Sequence, residues 1–142
     1  MTESEMWQML KPKFDGLGTV TRLENTATSG IPDVLLVSGG VFVFIELKVQ
    51  RTSTKITCPP FQWAYAMRVS HHLRRHNHWY FVGHERHLPM RMYTFEQLKT
   101  SNPVYANGHL EISLEGITPE YVLEPPFDVM SWIKYVEDKE YG

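Results

Sequence analysis

The sequence predicts a single α/β domain with a mixed central β-sheet flanked by helices. Three observations predict it. Helix-like and strand-like segments alternate along the chain. Two β-rich runs, 33–37 and 41–49, are joined through Ser38-Gly39-Gly40 as a hairpin. The second run is apolar on both faces, the pattern of a central strand covered on each side. The 142 residues, 42% hydrophobic and 13% aromatic, can build one substantial core but not two.

The elements follow in order. Thr2 or Ser4 caps a first helix running to about residue 10, with Met6, Trp7, Met9 and Leu10 available for burial and Pro12 expected to end it. Residues 19–24 read as a strand, followed by the hairpin. Pro59 and Pro60 open a helix over about 61–76, with Phe61, Ala64, Tyr65, Val69 and Leu73 on roughly helical spacing. Residues 79–82 form an apolar strand, 91–94 another, and 95–99 a short helix. The Asn107-Gly108 pair marks a turn before a strand at 109–114, and a last helix spans about 129–140. The whole chain is one domain, with a motif-bearing core at about 1–100 and an acidic C-terminal extension at about 101–142.

Charge is distributed unevenly within a net of −2. Residues 48–91 carry eight basic side chains, one acidic one and six of the seven His, whereas 111–142 carry two basic and eight acidic. A local basic patch can attract a polyanion on a near-neutral protein, because fields are screened beyond about 8 Å at physiological salt. Solvation of a surface helix is the plainer use of the same charges. The N-terminus lacks a basic region and an apolar core, and the longest apolar run is far shorter than a membrane span, so neither secretion nor a membrane partner is expected. The single cysteine, Cys58, can form no internal disulfide. The expected location is cytoplasmic, in a bacterial or phage-infected host cell.

The chemistry is concentrated where the hairpin ends. A two-residue turn at Gly39-Gly40 pairs Ser38 with Val41 and, counting outward, Val34 with Ile45 and Asp33 with Glu46. Two carboxylates facing each other at the end of an apolar hairpin are mutually repulsive, and a divalent cation between them removes the conflict. Phe42, Phe44, Glu46 and Lys48 share one face of the second strand, so Asp33, Glu46 and Lys48 converge at one end of it. Hard oxygen ligands suit Mg²⁺ or Mn²⁺. With Lys48 to orient a water or offset charge on a pentavalent phosphorus, the set suits phosphodiester hydrolysis. The plainer alternative is an ordinary Glu46–Lys48 salt bridge with Asp33 capping a turn.

These residues resemble the PD-(D/E)xK nuclease signature. Pro32-Asp33 is followed, after twelve residues, by Glu46-Leu47-Lys48. The fuller string from Ser29 to Val34, with Phe44 to Lys48, is most similar to the stand-alone virus-type replication-repair nuclease (VRR-NUC) branch, which is itself similar to Holliday-junction resolvases. The resemblance covers about residues 1–75. It implies a restriction-endonuclease-like fold in which Asp33, Glu46 and the Leu47 backbone carbonyl bind Mg²⁺ or Mn²⁺, Lys48 is catalytic, and Gln62 positions the site or the DNA backbone. A further acid is implied from the N-terminal part, where Glu3, Glu5 and Glu24 are the candidates. Arg51 and Lys55, in the loop after the motif, become phosphate contacts, joined by the basic residues Arg68, Arg74 and Arg75.

The implied activity is a metal-dependent DNA endonuclease, structure-selective for branched or Holliday-junction DNA and working as a homodimer. A restriction-type or nicking enzyme is the alternative within the class. A non-catalytic DNA-binding accessory or nuclease inhibitor is the alternative outside it. No phosphate-binding loop is present, so no nucleotide cofactor is expected. His71, His72, His76 and His78 are either zinc candidates or solvated, phosphate-contacting groups. Trp63, Tyr65, Trp79, Tyr80 and Phe81 are either core or base-stacking residues.

Overall fold

The computed structural model describes residues 1–23, 32–50 and 54–141. Helix α1 (Glu3–Phe14) leads into β1 (Thr19–Arg22), β2 (Val34–Ser38), β3 (Val41–Val49) and β4 (Lys55–Cys58). Helix α2 (Pro60–Val69) precedes β5 (His78–Gly83) and β6 (Met90–Thr94), and α3 (Phe95–Lys99) precedes β7 (Val104–Ala106), β8 (His109–Ser113) and β9 (Tyr121–Leu123). Helix α4 (Val129–Tyr141) closes the chain. Six strands form one sheet in the order β1-β2-β3-β5-β6-β9, and β4-β8-β7 form a second, smaller one. Among the described strands only β3 and β5 run parallel, which makes the central sheet mixed, as expected.

The alternation of β3 decides what covers each face. Val41, Val43, Ile45 and Leu47 pack with Trp79 and Phe81 of β5 against Met6, Leu10 and Phe14 of α1 and Trp132, Ile133 and Val136 of α4. On the opposite face, Tyr80 and Val82 join Ala66 of α2, Phe95 and Leu98 of α3, and Ile56, Cys58 and Ile112 of the small sheet. The molecule therefore has a helical layer, the central sheet, and a third layer of two helices and a small sheet. Glu46 and Lys48 belong to the second face, between sheet and third layer.

The hairpin forms in the expected register, Ser38 opposite Val41 through Val34 opposite Ile45. Gly39 and Gly40 take φ of 58° and 81°, as a type I′ turn requires of both central residues. Thr2 caps α1 through a reciprocal bond with Glu5, and Thr94 caps α3 in the same way with Gln97.

Several elements depart from expectation. Helix α1 continues through Pro12 to bury Phe14, and the strand expected to reach residue 24 is described only as far as Arg22. Helix α2 stops at Val69 rather than 76, because Arg74 and Asn77 close a turn on each other (Asn77 N–H to the Arg74 carbonyl, 3.0 Å; Arg74 N–H to Asn77 Oδ1, 3.1 Å). Its buried side is Ala66 with half-buried Trp63, since the third layer packs there, while Phe61 is 64% exposed. Strands β4, β7 and β9 are additional to the expected elements. The acidic C-terminal segment is integral to the fold, since α4 fills one face of the core and β9 extends the central sheet.

Candidate active site

Asp33 stands at the entrance to β2, directly after Pro32. Its backbone carbonyl accepts from Leu23 N–H at 2.8 Å, and its Oδ2 accepts from Leu47 N–H at 2.8 Å. One carboxylate oxygen is thus fixed to the backbone of β3 between Glu46 and Lys48. Glu46, one step beyond the last paired residues of the hairpin, is 1% exposed, and neither carboxylate oxygen has a hydrogen-bond donor in bonding geometry. Lys48 follows on the same face, also buried, and its Nζ donates to Gln62 Oε1 at 2.7 Å. Gln62 reaches it from the first turn of α2, where Pro60 starts the helix beside the end of β3. Four side chains separated by up to 29 positions in sequence are therefore gathered at the carboxyl end of one strand.

Burial pushes the Glu46 carboxyl well above the ordinary glutamate range, and the neighbouring Asp33 charge pushes it further, while Lys48 works in the opposite sense. The Asp33 backbone N–H also lies near enough to favour the charged form slightly. A buried carboxylate left without donors and facing a second acid is a site whose charge a cation would satisfy. The donor set, two carboxylates and no thiolate, fits Mg²⁺ or Mn²⁺, ions that keep several water ligands of their own. Among the described residues no group of three or more His, Cys, Asp or Glu is arranged to hold a metal ion.

A cleft of about 560 Å³ opens over these groups, with Asp33, Lys48 and Gln62 on its lining and Glu46 just beneath. Glu3 and Thr2, from the start of α1, line one side, and Lys55, Thr57 and His109, from the small sheet, line the other. Of the three N-terminal acids considered, Glu3 is the one placed on the cleft. Glu5 is turned away, engaged by Thr2 in the α1 cap and paired with Arg86, which holds its carboxyl below the usual range. Glu24 lies outside the described residues.

The expected phosphate contacts do not all fall together. Lys55 lines the cleft but is paired with Glu111 at 2.6 Å. Arg51 lies outside the described residues, as do Ser29, Gly30 and Ile31. Arg68 sits over the Tyr65 ring at the far end of α2. Arg74 and Arg75 stand at the opposite end of β3 from Lys48, because Asn77, two residues beyond Arg75, bonds to both Phe42 and Phe44. There Arg74 is taken up by Glu140 of α4. The sequence grouped these basics by their nearness along the chain. The run of α2 away from the cleft carries Arg68, Arg74 and Arg75 to the far end of the sheet, apart from Lys55.

No family model matches the sequence, and no curated protein matches it. Among solved structures, the chain is similar to Hjc, a Holliday junction resolvase from the archaeal hyperthermophile Archaeoglobus fulgidus. The two share 14% identity over 78% of this chain and 84% of that one, with a TM-score of 0.49. The chemistry of this site rests on its own geometry.

That geometry includes residues the sequence did not point to. His78 and Tyr80 lie behind Glu46 on β5, and only the parallel β3–β5 pairing brings them there. Cys58 lies 3.7 Å from Gln62 Oε1 with its thiol pushed up to about 11 by burial, so it is a neutral neighbour of the lysine–glutamine pair. His76 is occupied elsewhere, bonded to Glu120 at 2.9 Å, while His71 and His72 are exposed. Trp79, Tyr80 and Phe81 are wholly buried and act as core.

Proposed function

We propose that the protein is a divalent-metal-dependent endonuclease that hydrolyses phosphodiester bonds in branched DNA. The observation that carries the reading is the meeting of Asp33, Glu46 and Lys48 at one strand end, with Lys48 held by Gln62 at the floor of a cleft. Asp33 and Glu46 would hold Mg²⁺ or Mn²⁺, with the Leu47 carbonyl and Glu3 available to complete the set. When bound, the cation supplies Lewis-acid polarisation of a phosphate oxygen and neutralises its charge.

The chain's own residues do the rest. Gln62 Oε1 accepts a hydrogen bond from one of the three Lys48 ammonium N–H groups, which fixes Nζ and leaves two N–H groups for the substrate side. Lys48 can then donate to a phosphate oxygen as negative charge grows there, and can orient the attacking water. One P–O bond forms from water and one P–O bond to the leaving sugar oxygen breaks. The basic edge of the cleft at Lys55 would meet the flanking phosphates, joined by the Arg51 charge that precedes it in sequence. Paired cuts across a four-way junction need two sites related by symmetry, so the working unit proposed is a homodimer.

The test is cleavage of labelled linear, flap and four-way-junction DNA with Mg²⁺ or Mn²⁺, alongside Asp33→Ala and Lys48→Ala. Metal-dependent cutting of branched DNA that both variants lose is the expected result. Equal behaviour of parent and variants on every substrate would overturn the reading and favour a non-catalytic DNA-binding role.

A further inference from the structure

Five buried polar atoms without a hydrogen-bond partner gather behind the candidate site: both carboxylate oxygens of Glu46, both ring nitrogens of His78 and the Tyr80 hydroxyl. Buried polar atoms in folded proteins are nearly always satisfied, so a cluster of five requires a reason. The three side chains are neighbours by register. Tyr80 stands beside Glu46 on the adjacent parallel strand, and His78 beside Phe44, two residues earlier on the same face. His78 Nε2 is 3.9 Å from Glu46 Oε1, slightly beyond a hydrogen bond.

The His78 ring is also locked in place. It stacks on Tyr80 at 5.3 Å and 4° between planes, lies 5.9 Å from Phe95 on the α3 side, and tilts against Phe44 at 6.0 Å. Packing of this kind asks only for an aromatic ring, and phenylalanine would serve it. The nitrogens are surplus to packing, and the acceptor near Nε2 is the carboxylate that the proposed activity assigns to the metal.

We propose that His78, assisted by Tyr80, is a positioning residue for Glu46: a donor held 3.9 Å from Oε1 that closes on it when the cation is bound and so presents Oε2 to the cation. The inference rests on the metal-site reading above. A metal ligand whose remaining lone pairs are held by a fixed neighbour binds more tightly, and loss of such a neighbour commonly costs about ten- to a hundredfold in metal affinity. Tyr80, stacked on His78 and in register with Glu46, is the second donor.

The experiment is calorimetric titration of the DNA-free protein with Mn²⁺, comparing the parent with His78→Phe, His78→Gln and Tyr80→Phe, each melted in EDTA. His78→Phe keeps the ring and removes the donor. Its Mn²⁺ affinity should fall about tenfold or more, while its melting temperature in EDTA is unchanged or higher. His78→Gln restores an N–H and should recover most of the lost affinity, a rescue that packing alone would not give. Tyr80→Phe should weaken binding in the same direction by less. Parent-like affinity in His78→Phe, or no recovery in His78→Gln, would overturn this inference alone. A parent protein that binds no Mn²⁺ would overturn the metal site and this inference together.

Discussion

Glu46 is the residue at which the proposed function and stability conflict. Its folded-state carboxyl holds a proton more tightly than the ordinary value of 4.5, so its favourable contribution to folding is full below that pH and is lost as pH rises. Glu46→Gln should therefore abolish cleavage yet raise the melting temperature of the metal-free protein at pH 8. The gain should shrink to nothing near pH 4.5, as followed by thermal melts in EDTA across pH. His78 has the opposite sign. Burial lowers its value from 6.5 to about 4, so the neutral ring's contribution is complete above 6.5 and disappears as pH falls through 4, a difference of about 3 kcal/mol. His78→Phe should flatten the acid limb of the stability profile in EDTA; an unchanged limb would refute that assignment. At this scale the sequence was informative wherever a partner is local. Asp33, Glu46 and Lys48 follow from hairpin counting. Glu3 rather than Glu5 at the cleft, and His78 behind Glu46, depend on helix orientation and on parallel pairing, neither of which has a short-range signal.

Among the elements, the hairpin was readable because a two-glycine turn fixes register without help from the rest of the molecule. Both glycines have positive φ, and a side chain at Gly39 would also meet the Glu137 carboxylate of α4. Gly39→Ala should destabilise the protein by about 1–2 kcal/mol, the penalty of a left-handed backbone for a residue with a Cβ. Urea denaturation would measure it, and a loss below about 0.5 kcal/mol, the usual range of a neutral surface change, would contradict it. The short strands β7 and β9, three residues each, escaped the sequence reading because such strands carry too little alternation to be recognised. The expected extension of α2 to residue 76 has a related cause. Its apolar spacing persists past Val69, but tertiary bonds made by Asn77 end the helix first.

The whole molecule brings together charges that the sequence keeps in separate segments. The acids of the last third are partly consumed in holding basic residues of the middle, Glu111 with Lys55 and Glu140 with Arg74. The basic run therefore offers the cleft less positive charge than its composition promised. Lys55→Ala should weaken DNA binding and lower the salt dependence by about one unit of slope, whereas Arg75→Ala, at the far end of the sheet, should change neither. Equal effects from the two would show that DNA contacts both ends. Helix α4 contributes core as well as charge: Trp132 is fully buried against Phe14, Trp79 and Phe81, and Trp132→Ala should cost about 3–5 kcal/mol.

The hairpin also places a rule of parity on the spacing between its two acids. Asp33 and Glu46 are matched across a turn of two residues, with five further residues on each arm between turn and acid. Lengthening both arms by one residue keeps the acids level, although side chains alternate along each arm and the pair then changes face. Lengthening both by two restores the face and carries the pair about 7 Å farther from the turn. A single inserted or deleted residue can do neither, and must be absorbed as a bulge or a longer turn. Homologous chains that keep this pair should therefore vary the interval in steps of four, or show an irregular tip where they do not.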